Sequence, residues 1–442
     1  MSVGKAEAYL YALVYIAGVV VMGYFLPRSS AIPLFSIYAG CFVLYWRFYQ
    51  LSRNGLDTKK ILLLAVVLRL VLFFSTPSWS EDYARFLWDG HLVSQGLDPY
   101  AEKPSNLITE PDLASERMEE LYGLMNSPHY HSVYPPSNQL VFLLAATFGG
   151  ESVLSGLFVI RSILLLFELL TFYMLYLLLR NFRQAAHKIT LYALNPLVIM
   201  EVIGNLHFEG MMLTMILAGI YFFQTHRYAS SGGALGMAVS IKLSPLMLFP
   251  AFLNRLPRKA FWGFALAAGA VMGLLLAPLL FAWEGFSQSL NLYSNSFEFN
   301  ASIYYLFRQL GYWLEGYNTI GVLGPLSKVT TFILIVFVSL RNKNPDARSL
   351  SETLLSVYLI YFLLNTVVHP WYIIPALGIS VLTEKKVFIL WSLLIILSYH
   401  AYQHQPYRES AWYLFLEYGL LGWLLWKEGF FAPGAVKGRS TG

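Results

Sequence analysis

Fourteen apolar segments follow one another along this chain with almost no charge inside them, and that succession restricts the fold more than any motif does. They run approximately over 9–26, 31–50, 60–77, 136–149, 153–180, 188–202, 208–224, 232–253, 260–283, 319–340, 350–366, 371–383, 387–402 and 411–426. Several approach the roughly 18 to 20 residues that cross about 30 Å of hydrocarbon as a helix. Only 12% of residues are charged, about half the share of an ordinary soluble domain, while 57% are hydrophobic. A water-soluble fold would lack a polar shell, so the expected class is an all-α polytopic membrane protein. The net charge of +5 does not indicate nucleic acid, because Lys and Arg are spread over short loops in the positive-inside pattern. The run at 9–26 reads as a retained first helix, since no small-x-small cleavage site follows and Pro27-Arg28 leads into another apolar run. The single cysteine, Cys41, excludes an intramolecular disulfide and a cysteine-based zinc site.

Arg47, Arg53, Lys59 and Lys60 anchor the topology, because such clusters stay cytoplasmic. The amino terminus is then inside and the acidic stretch 78–135 outside. Strict alternation cannot also keep Arg180, Arg183 and Lys188, and Arg255, Arg258 and Lys259, on the inside. It can if 136–149, which is short, and 232–253, broken at Lys242-Leu-Ser-Pro245, are re-entrant or half-spanning. Irregular backbone is tolerated at membrane depth where protein encloses it. The reading is about twelve full spans plus two partial segments. Three helices occupy 1–77, an outer loop 78–135, the remaining bundle 136–426 and a cytoplasmic tail 427–442. Loops at 203–208, 284–318, 367–370 and 403–410 fall outside with the acidic loop. No internal repeat relates the halves, which argues against a repeat-built transporter.

The outer loop holds ten of the 25 carboxylates, including Glu81, Asp82 and Asp112, a bias that topology alone explains. Position is more telling, since Glu81 and Asp82 follow directly on the third apolar segment. A helix over 81–93 would put Asp82, Arg85 and Asp89 on one face, with Trp79, Tyr83, Phe86, Leu87, Trp88 and Leu92 forming an amphipathic, interfacial remainder. A solvated helix in which Arg85 pairs with its neighbours fits the spacing equally well. Gly96-Leu-Asp-Pro-Tyr100 and Val133-Tyr-Pro-Pro136 are rigid turn signals bracing the loop. Lys242 at mid-segment costs on the order of 2.5 to 3.5 kcal/mol to insert and so faces a cavity, or else snorkels or pairs with Glu201 or Glu168. Arg69, Arg161 and Glu168 fit structural ion pairing. Arg308 suits either a phosphate contact or an interfacial anchor. His207 and Glu209 lack an identifiable third ligand, so no metal site is expected. P-loop, dinucleotide and Gly-x-Ser-x-Gly motifs are absent.

Ser80-Glu-Asp-Tyr-Ala-Arg-Phe-Leu-Trp-Asp-Gly90, Gly96-Leu-Asp-Pro-Tyr100 and Tyr134-Pro-Pro136 resemble the first outer loop of bacterial lipid-linked-sugar mannosyltransferases of the GT-C class. The catalytic subunit of eukaryotic GPI mannosyltransferase I shows a looser version. The similarity continues in order through Ala193-Leu-Asn-Pro196 with Glu201 and Asn205, Ala238 to Lys242 with Pro245, Asn300 to Arg308, and His369-Pro-Trp-Tyr372. The chain departs from common members in having a two-helix hairpin before the loop and His207-Phe-Glu209 in place of a His-Asn-Asp-like run.

The resemblance implies a GT-C-like bundle that transfers a hexose, with mannose the expected sugar, from a polyprenyl phosphate carrier to a glycan, glycolipid or protein acceptor, with inversion. It implies an inner-membrane, multi-pass enzyme working on the periplasmic face, with membrane lipids as partners, no nucleic acid, and no obligatory cofactor or divalent metal. Asp82 is the implied base, with Glu81 adjacent. Arg85, Trp88, Asp89, Tyr100, Tyr134, Glu201, Asn205, His207, Lys242, Asn300, Arg308, His369 and Tyr372 are the expected substrate-binding residues, with Lys242, Arg308 and His369 the candidate cations. Asp82, Lys242 and Arg308 should then converge on one outward cavity. A transporter or flippase of lipid-linked sugars, or a polysaccharide polymerase or ligase, remains the alternative.

Overall fold

The computed structural model describes residues 5–430 except 112, 114 and 151, so Asp112 and residues 431–442 of the expected tail lie outside the described residues. The described chain is helical, and its one β-contact is a bridge between Phe299 and Val367. Six helices are long and apolar enough to cross a membrane: Glu7–Tyr24, Ala31–Arg53, Val153–Asn181, Arg258–Leu276, Ile320–Arg341 and Ala347–Leu364. A seventh crossing arises if Pro196–Gly204 and Glu209–Gln224, bent by 114°, form one broken span. The remaining apolar segments fold as shorter pieces.

These helices sort into two kinds. Arg258–Leu276 and Ile320–Arg341 are mostly unburied, and their exposed Trp262, Leu266, Phe332 and Phe337 suit hydrocarbon rather than water. Residues 189–213 and 373–383, by contrast, are almost wholly enclosed by protein. Short broken helices at membrane depth require that enclosure, because no water satisfies their free carbonyls. Trp283–Asn295 and Ile303–Glu315 carry exposed Trp283, Leu306, Trp313 and Leu314, as an interfacial belt does.

The first half runs α1 (Lys5–Tyr24), α2 (Ala31–Arg53), α3 (Thr58–Leu70), α4 (Asp82–Ser94), α5 (Pro104–Leu107), α6 (Glu116–Leu124), α7 (Pro136–Gly149) and α8 (Val153–Asn181). The α1–α2 hairpin is fastened to the inner pieces by tyrosine hydroxyls: Tyr15 donates to the Leu194 carbonyl, Tyr38 to Ser392 and Tyr45 to Leu191. At about 1.5 Å per residue α7 is some 21 Å long, too short to cross, in keeping with the half-spanning expectation.

Burial corrects the expectation for α4. Trp79, Phe86, Leu87, Trp88 and Leu92 are all at most 1% exposed, so α4 is neither interfacial nor solvated. The loop it belongs to folds back as α6 and α7 and covers it, a long-range event invisible to local periodicity. Gly90 permits the closest approach: a Cβ there would lie 2.1 Å from the Phe142 carbonyl oxygen of α7. Phe86 stacks on Phe142 at 4.7 Å, and Tyr134 packs edge-on against both rings.

The buried charges divide as follows. Arg69 pairs with Glu168 at 2.6 Å with both side chains fully enclosed, and Tyr192 donates to the other Glu168 oxygen at 2.6 Å. Arg161 meets no carboxylate and instead donates to the carbonyls of Phe73, Ile203 and Gly204 and to the Ser75 hydroxyl.

Two outcomes follow. Glu168→Gln leaves Arg69 buried and uncompensated and is expected to destabilise by about 3 to 5 kcal/mol, read as a lower thermal midpoint of the purified protein, with the Arg69→Met, Glu168→Leu double variant recovering much of the loss. Gly90→Ala forces α4 from α7 and is expected to lower the thermal midpoint by the equivalent of roughly 1 to 3 kcal/mol, measured the same way.

Candidate functional site

Asp82 is the first residue of α4, directly after the turn that leaves α3. Its carboxylate accepts from Asn126 Nδ2 at 3.4 Å and takes part in no ion pair among the described residues. Glu81 differs: both its oxygens lie 2.5 Å from Arg28 Nη2, and the same Asn126 amide lies 3.4 Å from it. Arg28 belongs to the turn between α1 and α2. Its Nη1 donates to the Trp79 carbonyl at 2.9 Å, and its guanidinium lies 3.8 Å from the Tyr402 ring centroid.

On the other flank stands Lys242. Helix Tyr228–Ile241 stops where Lys242 turns extended, and Ser244-Pro245 starts a separate 3-10 turn. This is the break that Lys-Leu-Ser-Pro predicts. The ammonium pairs with Glu209, not with Glu201 or Glu168, and lies 4.1 Å from the Tyr372 ring centroid. Two tyrosine rings each carry a cation here, Tyr372 with Lys242 and Tyr402 with Arg28, and Arg28 also holds Glu81, the residue before Asp82.

The floor comes from a sharp elbow. Asn195 caps the short helix at Pro196, a π-turn covers Ile199–Gly204, and Leu206 takes a left-handed φ of 66°. The expected outer loop at 203–208 is consequently a buried bend. Its broken backbone is tolerated because Arg161 takes up two of its carbonyls. Glu201 accepts from Tyr399 at 2.7 Å and from Asn205 at 3.2 Å, and His207 Nε2 lies 3.4 Å from it. Asn205 also accepts from the Trp79 backbone at 3.2 Å, tying the elbow to the residue three before Asp82.

Four rings then form a wall, His207 on Trp371 at 3.8 Å, Trp371 on His369 at 4.4 Å and His369 on Phe299 at 4.8 Å. Burial, reinforced by His207, Lys242 and Arg28, pushes the His369 imidazole down to about 3, so it offers a hydrogen bond rather than a charge at neutral pH. Its Nδ1 is buried without a hydrogen-bond partner among the described residues.

Other expected residues take supporting places. Arg85 pairs with Asp89 at 2.6 Å and donates to the carbonyls of Ser127 and Tyr130, while Asp89 accepts from Ser132 and Gln139. Together they pin 127–132 against α4, beside Asn126. Trp88 is fully buried, and Tyr100 donates to the Tyr134 carbonyl at 2.6 Å. Asn300, at a left-handed φ of 48°, has its amide held by Glu409 and its side chain by Glu417 at 3.1 Å. Arg308 belongs to a neighbouring cluster, paired with Glu298 and stacked 3.9 Å from Tyr305, whose hydroxyl donates to Glu409. Burial raises the Glu409 carboxyl above its ordinary range. This cluster meets the Asp82 site where the Tyr402 and Tyr407 rings lie 6.2 Å apart. Lys242 thus lies against Tyr372 and Asp82 beside Asn126, and among the described residues no direct contact joins Arg308 to either.

Sequence reasoning missed Arg28, Asn126 and Tyr402. Arg28 carried a signal, as a lone basic residue on an outer hairpin against the positive-inside trend. Among the described residues no group of three or more His, Cys, Asp or Glu is gathered as metal ligands would be.

Residues 14–256 match a family described as alpha-(1->6)-mannopyranosyltransferase, N-terminal domain. The chain is 26% identical over 186 residues to alpha-(1->6)-mannopyranosyltransferase A of Mycobacterium tuberculosis, covering 40% of this chain and 33% of that protein. It is 21% identical over 184 residues to the A protein of Corynebacterium glutamicum, covering 40% and 35%, and 24% identical over 150 residues to the B protein of that organism, covering 34% and 24%. The matched stretch is thus about a third or less of these relatives' length. The family match begins inside α1, so the α1–α2 hairpin with Arg28 lies in the shared region rather than outside it. Matched over more than half its length, from α1 through the break at Lys242, this chain belongs to the alpha-(1->6)-mannopyranosyltransferase family.

Proposed function

We propose that this protein is a membrane mannosyltransferase that moves mannose from a polyprenyl monophosphate carrier to an acceptor hydroxyl, with Asp82 as base. The observation that supports the reading is a carboxylate in no ion pair among the described residues, at the first residue of α4 and directly after the Glu81 that Arg28 holds. A base must be uncommitted to accept a proton, whereas a leaving phosphate needs positive charge nearby. Asp82 meets the first condition, and Arg28 and Lys242 are the cations available for the second.

In this reaction the acceptor oxygen attacks C1 as its proton passes to Asp82, and the C1–O bond to phosphate breaks, the electron pair leaving with the phosphate oxygen. One displacement inverts the anomeric centre. The relatives' names specify α-(1->6) linkage. If this chain makes the same bond, a single inversion requires a β-linked donor and a primary sugar hydroxyl as acceptor. The four-ring wall supplies aromatic faces for a sugar ring, and the neutral His369 supplies a hydrogen bond. The bundle is of the GT-C kind, with about twelve crossings once the short inner pieces are counted, and it works at the outer, periplasmic face of the inner membrane, where a lipid carrier keeps its tail in the bilayer. Phosphate is already a good leaving group, so the protein's own cations suffice and no divalent metal takes part.

Reconstituted protein supplied with synthetic polyprenyl phosphate mannose and a mannoside acceptor is the test. Asp82→Asn is expected to lower kcat by about 10² to 10⁴ while KM for the donor moves little, and undiminished product would remove Asp82 as base. Wild-type protein should use the β-linked donor and not the α anomer, as followed by product analysis, with no turnover of any polyprenyl phosphate sugar favouring transport instead. Addition of EDTA should leave the initial rate unchanged, and a rate restored only by added metal would show that the cations here are insufficient.

A further inference from the structure

We infer that Arg28 is the cation that takes the donor's phosphate, and that Glu81 occupies its place until the anion arrives. The inference rests on the reading of the site as one for a polyprenyl phosphate sugar and adds a residue and a mode of entry to it.

Three cations near the site each hold a carboxylate: Arg28 with Glu81, Lys242 with Glu209, and Arg308 with Glu298. An incoming phosphate must compete with that partner, and the outcome depends on where the displaced carboxylate goes. Glu209 is 4% exposed and Glu298 15%, so either would be left charged and unpaired inside the protein, a costly state. Glu81 is 41% exposed and water can take it up. Its other hydrogen bond is with the Asn126 amide at 3.4 Å, and although Glu81 is the N-cap residue of α4 its side chain makes no capping bond, so little else is lost when it swings away.

Arg28 would stay where it is. Its backbone N–H donates to the Ser78 carbonyl at 3.3 Å, Nη1 to Trp79, and its flat face lies on Tyr402. Only the Nη2 edge is given to Glu81. A guanidinium so fixed presents a planar fork that suits phosphate oxygens and loses little freedom on binding. Glu81 and Asp82 are successive residues that share one Asn126 amide, so a phosphate at Arg28 would lie in the same site as the base. Lys242, about a third exposed, can add a donor from the opposite flank without releasing Glu209.

The test is calorimetric binding of farnesyl phosphate and of inorganic phosphate to the full chain in nanodiscs. Glu81→Gln removes the competitor and is expected to tighten farnesyl phosphate binding roughly fivefold, what one half-exposed ion pair is worth. Arg28→Gln should weaken it about tenfold or more, and the double variant should match Arg28→Gln. Unchanged or weaker binding by Glu81→Gln overturns the proposal, and because this variant is nearly isosteric it remains decisive even if Arg28→Gln does not fold. Equal tightening for inorganic phosphate assigns the site to the phosphate group itself, whereas tightening confined to farnesyl phosphate assigns it to a lipid-borne headgroup. Arg28→Lys, which keeps the charge and loses the fork, should raise KM for the donor and lower kcat; a lower thermal midpoint with both constants unchanged marks a structural role and overturns the assignment. Binding needs no turnover, so an inactive wild type would remove the proposed reaction without touching this result, and identical phosphate affinities across the variants would remove Arg28 whatever the turnover.

Discussion

Backbone carbonyls placed at membrane depth must find their donors within the protein, and Arg161 is the side chain on which that condition turns here. Its guanidinium is fully buried and spends its donors on Phe73, Ile203, Gly204 and Ser75. Those contacts let the chain stop a π-turn at Gly204 and bend through 114° into the Glu209–Gln224 helix. A straight helix through the same residues would spread Glu201, His207 and Glu209 around its circumference. The bend gathers them, with Glu201 and Asn205 behind and Glu209 in front, where it meets Lys242.

The same condition explains why the inner pieces are so closely tied to the N-terminal hairpin. Tyrosine hydroxyls of α1 and α2 take the carbonyls of Leu191, Leu194 and Ser392, groups that a continuous helix would have satisfied itself. The hairpin is therefore fixed against the broken core. That fixes Arg28, at its turn, against Trp79 and Tyr402 and hence against the start of α4.

How much of this was legible in the sequence depends on the range of the signal. Lys242 announced its break locally, through Leu-Ser-Pro, and Asp82 announced its place by following a span directly. The Arg69–Glu168 pair was expected in kind because a charge in hydrocarbon needs a partner, though only the fold shows which. The burial of α4 was not legible, since its pattern is that of an amphipathic helix and its cover arrives from residues more than 30 positions later. The elbow at 203–208 read as a loop because polar Asn205, His207 and Glu209 ordinarily mean water. Arg28 was passed over because a short turn between spans reads as topology, when its sign was the anomaly.

A membrane bundle cannot leave its cations bare, because an uncompensated charge away from water is expensive and draws in whatever carboxylate is near. Each cation around Asp82 accordingly has its own carboxylate, and Asp82 itself is in no ion pair among the described residues. The asymmetry follows from position: Glu81, one residue earlier, reaches Arg28, while Asp82 begins the helix and accepts from Asn126. A single-residue step along the chain thus separates a carboxylate that balances charge from one that is free to take a proton.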